Sequence, residues 1–445
     1  MDLSALPETT RPASGPPGYH RLFAREHLLP FVLVTALFFL WGIPNNLNDV
    51  LIKQFMKSFE ITRFKAGLVQ SAFYMGYFTL SMPAALLMRR FGYKAGLVTG
   101  LFLYASGTLL FWPAAMVGQY AFFLLALFVI ASGLSFLETG ANSFVAQLGD
   151  PESSERRLNF SQAFNPLGAI TGVLIGTVFI FSGVEHTPAQ LAAMKVSGTL
   201  HTYLRHETMR VITPYLVLGA VVIFWALLII RTKFPKVAGE TTSHAAAEHG
   251  RFRDLLHYPH FILAVIAQFF YVGAQVGTWS YFIQYVQDYT HMPEKTAGYL
   301  LTGTLVAFGV GRFSSTWIMK YIRPNLLMGA YSVINVALVA VGVLFPGWLG
   351  LWAILLTSFF MSLMFPTIFA LGLRGLGANT KIGGSFIVMA IIGGAVFPPA
   401  MGLVWQATHS MAIAMLLVLI CYVYIAYYSY VGYALGRPTG DPQAA

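Results

Sequence analysis

The chain has 445 residues, of which 57% are hydrophobic and only 10% are charged, and its net charge is +10. A soluble domain carries about 25% charged residues because its surface faces water, so this composition excludes an ordinary soluble protein. The basic residues lie in short clusters between apolar stretches, which argues against a nucleic-acid partner. The single cysteine, Cys421, excludes an internal disulfide and a cysteine-based metal site.

Twelve apolar stretches follow one another along the chain, each close to the roughly 20 residues that cross a bilayer. They lie near 29–56, 66–88, 95–115, 119–148, 158–183, 212–231, 259–288, 296–320, 325–346, 348–374, 381–406 and 410–435. A polar stretch separates the sixth from the seventh. The sequence therefore predicts an all-α membrane protein with two six-helix bundles at 29–231 and 258–436, joined by a cytoplasmic linker at 232–257. Residues 1–28 and 437–445 are predicted to be cytoplasmic tails.

Charge and internal repetition refine this picture. With both termini inside, 18 of the 27 Lys and Arg residues fall on the cytoplasmic side, as the positive-inside rule requires.

The two halves of the sequence also repeat. Aligning the sequence with itself at a shift of 231 residues pairs Gly42 with Gly273 and Arg89 with Lys320. Two parallel six-helix repeats resemble the major facilitator superfamily, which has a central site between its halves. A six-plus-six protein without a true repeat is the alternative.

Two acidic residues, Asp49 and Glu138, lie well inside predicted spans. An ionisable group in the bilayer is costly, so it is usually paired or functional. A carboxyl group removed from water binds a proton more readily, which suits proton-coupled transport. The alternative is a buried salt bridge, with Lys53 or Arg312 as the partner.

Polar residues surround both acids at helical spacing, so they share helix faces with them. These residues are Asn45 and Asn46 in the first span, Ser135 and Asn142 in the fourth, and Gln162 and Asn165 in the fifth. Carboxyl and amide groups can donate to or accept from the hydroxyl groups of a sugar. Alternatively, these amides bind neighbouring helices as packing contacts.

The second half contributes mainly aromatic side chains, which can stack on the apolar face of a pyranose ring. Gln275 and Trp279 in the seventh span and Phe365 in the tenth are the main candidates for sugar contacts. Most other aromatic residues there are expected to pack against helices or lipid. Arg312, toward the inner end of the eighth span, is expected to anchor a gate or helix end.

The sequence gives no sign of an enzyme, a cofactor or a bound metal. His186, His201 and His206 have no metal-binding spacing, and no phosphate-binding loop or nucleophile elbow is present. A membrane enzyme acting on a sugar-lipid would need clustered acids or histidines near the membrane surface. A membrane sugar sensor would need a signalling domain, whereas only short tails are predicted.

Six segments closely resemble the L-fucose:proton symporter (fucose permease) family of the major facilitator superfamily. They are FFLWGIPNNLND at 38–49, LET at 137–139, QAFNP at 162–166, YVGAQ at 271–275, FPTIF at 365–369 and GSFIVM at 384–389. The similarity runs from about residue 29 to about residue 404. It is much more specific than a likeness to the superfamily alone.

The resemblance implies roles for individual residues. The family's acids at the positions of Asp49 and Glu138 serve proton coupling and sugar binding, and Asn46 and Gln162 correspond to sugar contacts. Phe365 stands where the fucose permease has a tyrosine, which leaves the sugar open between L-fucose and hexoses such as glucose or galactose.

The sequence therefore predicts a proton-coupled monosaccharide importer that works by alternating access. A symporter or facilitator for another hexose is the alternative. We expect a monomer in the lipid bilayer of the cell inner membrane, with a monosaccharide and protons as its other partners.

Overall fold

The computed structural model describes residues 28–148, 160–235, 255–319, 321–376 and 380–436. The predicted N-terminal tail up to residue 27, residues 236–254 of the predicted linker and the predicted C-terminal tail at 437–445 lie outside the described residues. The part of the chain that the structure describes is almost entirely helical.

Seventeen α-helices make up this part of the chain. They are α1 (Leu28–Phe59), α2 (Arg63–Leu109), α3 (Phe111–Val117), α4 (Tyr120–Gln147), α5 (Phe164–Ile175), α6 (Pro188–Val196), α7 (Leu200–Met209), α8 (Ile212–Arg231), α9 (Pro259–Thr290), α10 (Glu294–Ile318), α11 (Pro324–Leu344), α12 (Trp348–Met361), α13 (Met364–Leu373), α14 (Thr380–Met389), α15 (Gly393–Thr408), α16 (Met411–Ala414) and α17 (Leu416–Tyr430).

Ten helical segments in the described ranges are long and apolar enough to span a membrane. The first part of α2 (63–91) and α10 complete the twelve spans that the sequence predicts. Both of these helices carry more polar residues than the others. We refer to the helices up to α8 as the N-terminal half and to those from α9 onward as the C-terminal half.

Several predicted spans differ in their details. The second and third spans form one helical run, interrupted only at Gly92, whose φ of 83° favours glycine. A π-helical turn, Gly176–Ile180, ends the fifth span. The tenth span breaks between α12 and α13, and a 3-10 turn, Ala390–Ile392, divides the eleventh. The short helices α6 and α7 lie between the fifth and sixth spans. The predicted apolar stretches do not include them.

Glycines allow α1 and α5 to cross with their backbones in contact. A side chain at Gly168 would overlap the backbone oxygen of Phe39, and one at Gly172 would overlap that of Ile43. Small residues at such spacing are the usual means by which membrane helices approach closely. The crossing places the polar face of α1 beside the start of α5.

The C-terminal half repeats this arrangement between α9 and α15. A side chain at Gly393 would overlap the backbone oxygen of Phe269, and one at Gly273 would overlap the ring of Phe397. Gly42, which the 231-residue shift pairs with Gly273, likewise packs against the backbone of Asn165 in α5. Equivalent helices therefore cross in equivalent ways in the two halves.

The two halves are in contact at one face of the bundle, which holds the α1–α2 turn at Glu60 and is called the Glu60 face below. Here Gly67 of α2 packs against the backbone of Pro399 in α15, and Gly402 of α15 packs against the backbone of Phe64. The π-helical turn after α5 also meets α10, with Gly298 against the side chain of Thr177. These contacts close the bundle at the Glu60 face.

Candidate functional site

A cavity of about 200 Å³ lies between the two halves. The N-terminal half contributes α1, α2, α4 and α5 to its wall, and the C-terminal half contributes α9, α10 and α13. All ten site residues predicted from the sequence line this cavity: Asn45, Asn46, Asp49, Glu138, Asn142, Gln162, Asn165, Gln275, Trp279 and Phe365. The fold thus brings together side chains that are more than 300 residues apart in sequence.

Asp49 is buried, and its carboxyl group accepts three hydrogen bonds. Asn46 Nδ2 donates to Oδ2 over 3.3 Å, from one turn earlier on the same helix. Gln70 Nε2 donates to Oδ1 over 2.8 Å, and Ser280 Oγ donates to the same oxygen over 3.1 Å. The partners of this carboxyl in the structure are therefore amides and a hydroxyl, and not the Lys53 or Arg312 considered from the sequence.

Glu138 lies on α4 and lines the same cavity. The hydroxyl of Tyr77 lies against its carboxyl group and also donates to Asn45 Oδ1 over 3.4 Å. Tyr77 therefore links a polar residue of α1 to the acid of α4. Within the described residues, no ion pair joins Glu138 to a basic side chain.

The remaining amides of the N-terminal half are held in a short chain. Asn142 Nδ2 donates to the backbone oxygen of Glu138 over 2.9 Å, one turn earlier on α4. Gln162 Nε2 donates to Asn142 Oδ1 over 3.2 Å, and Asn165 Nδ2 donates to the backbone oxygen of Phe38 over 3.3 Å. These amides bond to neighbouring helices and also line the cavity. A role as packing contacts between helices and a role as sugar contacts are therefore compatible.

Aromatic side chains form part of the wall that the C-terminal half supplies. Trp279 is buried, packs edge-to-face on Phe308 with ring centroids 5.3 Å apart, and donates its indole N–H to Ser358 Oγ over 3.1 Å. Phe365 packs on Tyr271 at 6.1 Å. Fixed rings of this kind provide a stacking surface, opposite the hydrogen-bonding groups of the other half.

Five polar cavity residues are missing from the sequence-based set. They are Gln70, Tyr74, Tyr77, Tyr271 and Arg312. The first three follow one another at spacings of four and three on α2, so their shared helix face could have been found by the pattern that identified Asn45 and Asp49. Tyr271 lies inside a segment of the family resemblance.

Arg312 is a basic residue of the cavity wall, and its expected role stays a prediction. The sequence places it toward a helix end, where it was expected to anchor a gate or the helix itself. The structure places it in the cavity wall, with its guanidinium carbon 5.2 Å from the ring centroid of Phe308. The cavity therefore contains one guanidinium and two carboxyl groups.

Twelve spans in two halves around a central cavity lined by polar side chains define a multi-pass membrane transporter. The Major Facilitator Superfamily profile matches residues 31–398. The L-fucose-proton symporter of Escherichia coli (strain K12) is 45% identical over 409 residues, which cover 90% of this chain and 92% of that protein. The glucose/galactose transporter of Brucella abortus is 34% identical, covering 90% of this chain and 93% of that protein.

Solved structures agree with this assignment. A crystal structure of the E. coli fucose:proton symporter is 44% identical, with a TM-score of 0.68 over 91% of this chain and 98% of that one. A bacterial homologue of the human lysosomal transporter Spinster, at 13% identity and a TM-score of 0.71, shows the fold alone. The chain therefore belongs to the major facilitator superfamily, within the family that contains the L-fucose-proton symporters. This confirms the family resemblance and the twelve-helix fold predicted from the sequence.

Proposed function

We propose that this chain imports a monosaccharide together with a proton, and that the sugar is L-fucose or a close relative. The observation that carries the proposal is the central cavity, in which the buried carboxyl group of Asp49 and the half-buried carboxyl group of Glu138 stand among amides and aromatic rings. Relatives named L-fucose-proton symporters, at 45% and 36% identity over at least nine-tenths of this chain, support the substrate class.

The chemistry of the wall fits a sugar. Asn46, Gln162 and Gln275 offer amide donors and acceptors for ring hydroxyls, while Trp279 and Phe365 offer apolar faces for the C–H side of the ring. Asn45, Asn142 and Asn165 complete the amide-lined surface as substrate contacts. Both halves supply polar groups and aromatic rings to the same cavity, which suits the hydroxyl groups and the apolar C–H face of a pyranose.

Proton coupling is assigned to the two acids. Glu138 is the main proton carrier, because its half-buried carboxyl group lines the cavity, whereas the carboxyl group of Asp49 is buried and accepts three hydrogen bonds. Protonation lets the loaded carrier cross its midpoint without a buried charge. Asp49 couples protonation to sugar binding. Glu138→Gln with undiminished gradient-driven accumulation would contradict this division of roles.

A symporter or facilitator for another hexose is the second candidate. Phe365, where a tyrosine hydroxyl is missing, favours this alternative, as do the relatives named glucose/galactose transporters at 34% identity. We further propose that the carrier acts as a monomer in the cell inner membrane. Both termini and the linker at 232–257 would lie in the cytoplasm, which puts the Glu60 face outside.

Uptake by purified protein in liposomes tests the proposal. Labelled L-fucose is supplied with and without an inward proton gradient, and unlabelled glucose, galactose and other hexoses are added as competitors. Accumulation that needs the gradient and is blocked only by fucose-like sugars would support L-fucose:proton symport. Equilibration without accumulation would support a facilitator, and block by glucose or galactose would support the second candidate's substrate.

A further inference from the structure

A second cavity, of about 330 Å³, lies at the Glu60 face and is called the outer cavity below. Its wall comes from the last turns of α1, from the segment between the fifth and sixth spans that holds α6 and α7, and from the start of α10. The residues that line it include Lys53, Lys57, Glu185, Leu191, Tyr203 and Glu294. No residue of this wall also lines the central cavity, so the two cavities are separate spaces.

Polar contacts between the two halves hold the wall of the outer cavity in place. Lys57 Nζ donates to Ser182 Oγ over 2.9 Å and lies 3.4 Å from Glu294 Oε1. Glu185 Oε1 accepts from Gln287 Nε2 over 2.6 Å and from the backbone N–H of Glu294 over 3.1 Å. Lys57 and Glu185 belong to the N-terminal half, whereas Gln287 and Glu294 belong to the C-terminal half. The charged groups of Lys57 and Glu185 are therefore engaged in joining the halves.

Three other polar groups of this wall are not engaged within the part of the chain that the structure describes. Glu294 is fully buried, and its second carboxylate oxygen, Oε2, accepts no hydrogen bond. Tyr203 Oη is buried and makes no hydrogen bond, although Lys57 Nζ lies 5.8 Å from the centre of its ring. The ammonium group of Lys53 forms neither a hydrogen bond nor a salt bridge. Because buried polar groups are normally hydrogen-bonded, this set indicates a ligand.

The mixture of charges around the outer cavity determines which ligand it suits. Two ammonium groups and three carboxylates line one small space, so neither an anion nor a cation meets a complementary charge on every side. A neutral molecule with several hydroxyl groups can donate to Glu294 Oε2 and accept from Lys53 and Tyr203. Leu191 and Leu204 supply apolar surface for its C–H groups. The volume falls within the range of about 300–1,000 Å³ that is usual for small-molecule sites.

We propose that the outer cavity is a second monosaccharide site, which holds a sugar while the Glu60 face is closed. Lys53 follows Asp49 by four residues on α1, about 6 Å along the helix axis, so the two cavities lie one helical turn apart. A sugar in the outer cavity is therefore placed to enter the central one when the halves separate. Because Glu294 comes from the other half, the site is complete in the closed state, and bound sugar favours that state. This inference rests on the proposed function for the class of sugar and the direction of transport.

Protection of an introduced thiol tests the proposal in the full-length protein in lipid nanodiscs. After the buried Cys421 is changed to alanine, Leu191→Cys places a thiol in the wall of the outer cavity. Ala192→Cys places one on the exposed neighbour, which does not line the cavity. The rate of modification by a water-soluble maleimide is measured against the concentration of L-fucose. We expect L-fucose to slow modification at position 191 and to leave the rate at position 192 unchanged.

Three substitutions, each added to Leu191→Cys, assign this protection to the outer cavity. Lys53→Met removes an ammonium group that makes no bond within the described residues, so the L-fucose concentration for half protection should rise about tenfold, as expected for a hydrogen bond to a charged group. Lys65→Met is the matched control, because this exposed lysine lies on the same face and does not line the cavity. Gln162→Ala alters the central cavity alone, so protection should persist at the same concentration.

The outcomes separate the outer site from the proposed function. Equal slowing at positions 191 and 192, loss of protection in Gln162→Ala, or an equal effect of Lys53→Met and Lys65→Met would overturn the outer site. Normal gradient-driven uptake of sugar without protection at position 191 would also overturn it and leave the proposed function intact. Protection by glucose or galactose in place of L-fucose would support the site with the second candidate's sugar. Protection without any uptake would support the site and count against the proposed function alone.

Discussion

Replacing Asp288 by asparagine should open the Glu60 face, because it leaves a buried cation without its counter-charge. Arg63 makes two hydrogen bonds of 2.7 Å to the carboxylate of Asp288 in the other half, and the arginine side chain is only 9% exposed, whereas that of Asp288 is 29% exposed. Removing one member of a fully buried pair costs about 3–5 kcal/mol, and an exposed pair contributes about 0–1 kcal/mol.

This pair lies between those limits, which gives about 2 kcal/mol for the loss. Stacking of the guanidinium on Trp405, at 4.2 Å from the ring centroid, is unaffected by the substitution. Since 1.4 kcal/mol is a factor of ten in an equilibrium constant, the open-to-closed ratio should rise about 30-fold. We expect the salt bridge to join the halves only in the closed state, which would place the whole difference on that state.

Spin labels on cysteines that replace the exposed Lys65 of α2 and the exposed Thr296 of α10, after the buried Cys421 is changed to alanine, measure this ratio as a distance between the halves in liposomes at one fixed pH. Glu60→Gln is the matched control, since it removes an exposed carboxylate from the same face. The reasoning is refuted if Asp288→Asn leaves the distance distribution as it is in the unsubstituted protein, or if Glu60→Gln opens the face to the same extent. The double variant Arg63→Gln with Asp288→Asn should recover part of the closed population, because no unpaired buried charge remains.

Three further substitutions follow from the cavity and the helix crossings. Glu138→Gln should abolish gradient-driven accumulation while preserving exchange of labelled for unlabelled sugar, measured in the same liposomes; loss of both activities would point to a structural role. Phe365→Tyr adds one hydroxyl to the cavity and should change the affinity for the transported sugar by about fivefold, which corresponds to about 1 kcal/mol for one hydrogen bond; an unchanged competition curve would place the ring away from the sugar. Gly168→Leu should destabilise the protein by about 1–3 kcal/mol, as overpacking does, because its side chain meets the backbone of Phe39. Thermal unfolding in detergent measures this loss, and Leu167→Val, at an exposed neighbour, should show little of it.

The central cavity was largely predictable because an ionisable or amide side chain stands out in an apolar helix. Asp49 and Glu138 were found in this way, and Gln162 and Asn165 were found from their shared helix face. Gln70 and Tyr74 are less conspicuous, because they are uncharged side chains in the otherwise apolar sequence of α2. Their spacing of four residues carried the same signal.

Contacts between distant parts of the chain were not predictable. Arg63 and Asp288 are 225 residues apart, and each lies near a helix end, where charged residues are expected for other reasons. Nothing local distinguishes them from solvated charges. The break at Gly92 was equally hidden, since a single residue with positive φ replaces the loop that separate apolar stretches suggest.

The glycine crossings limit how this transporter can change shape. Where α1 crosses α5 at Gly168, and α9 crosses α15 at Gly393, main chain lies directly on main chain, with no layer of side chains that could adopt other rotamers. Each crossed pair must then move as a rigid body. Exposure of the cavity to the two sides of the membrane therefore requires pivoting of whole halves against each other, with the flexibility confined to the surface between them.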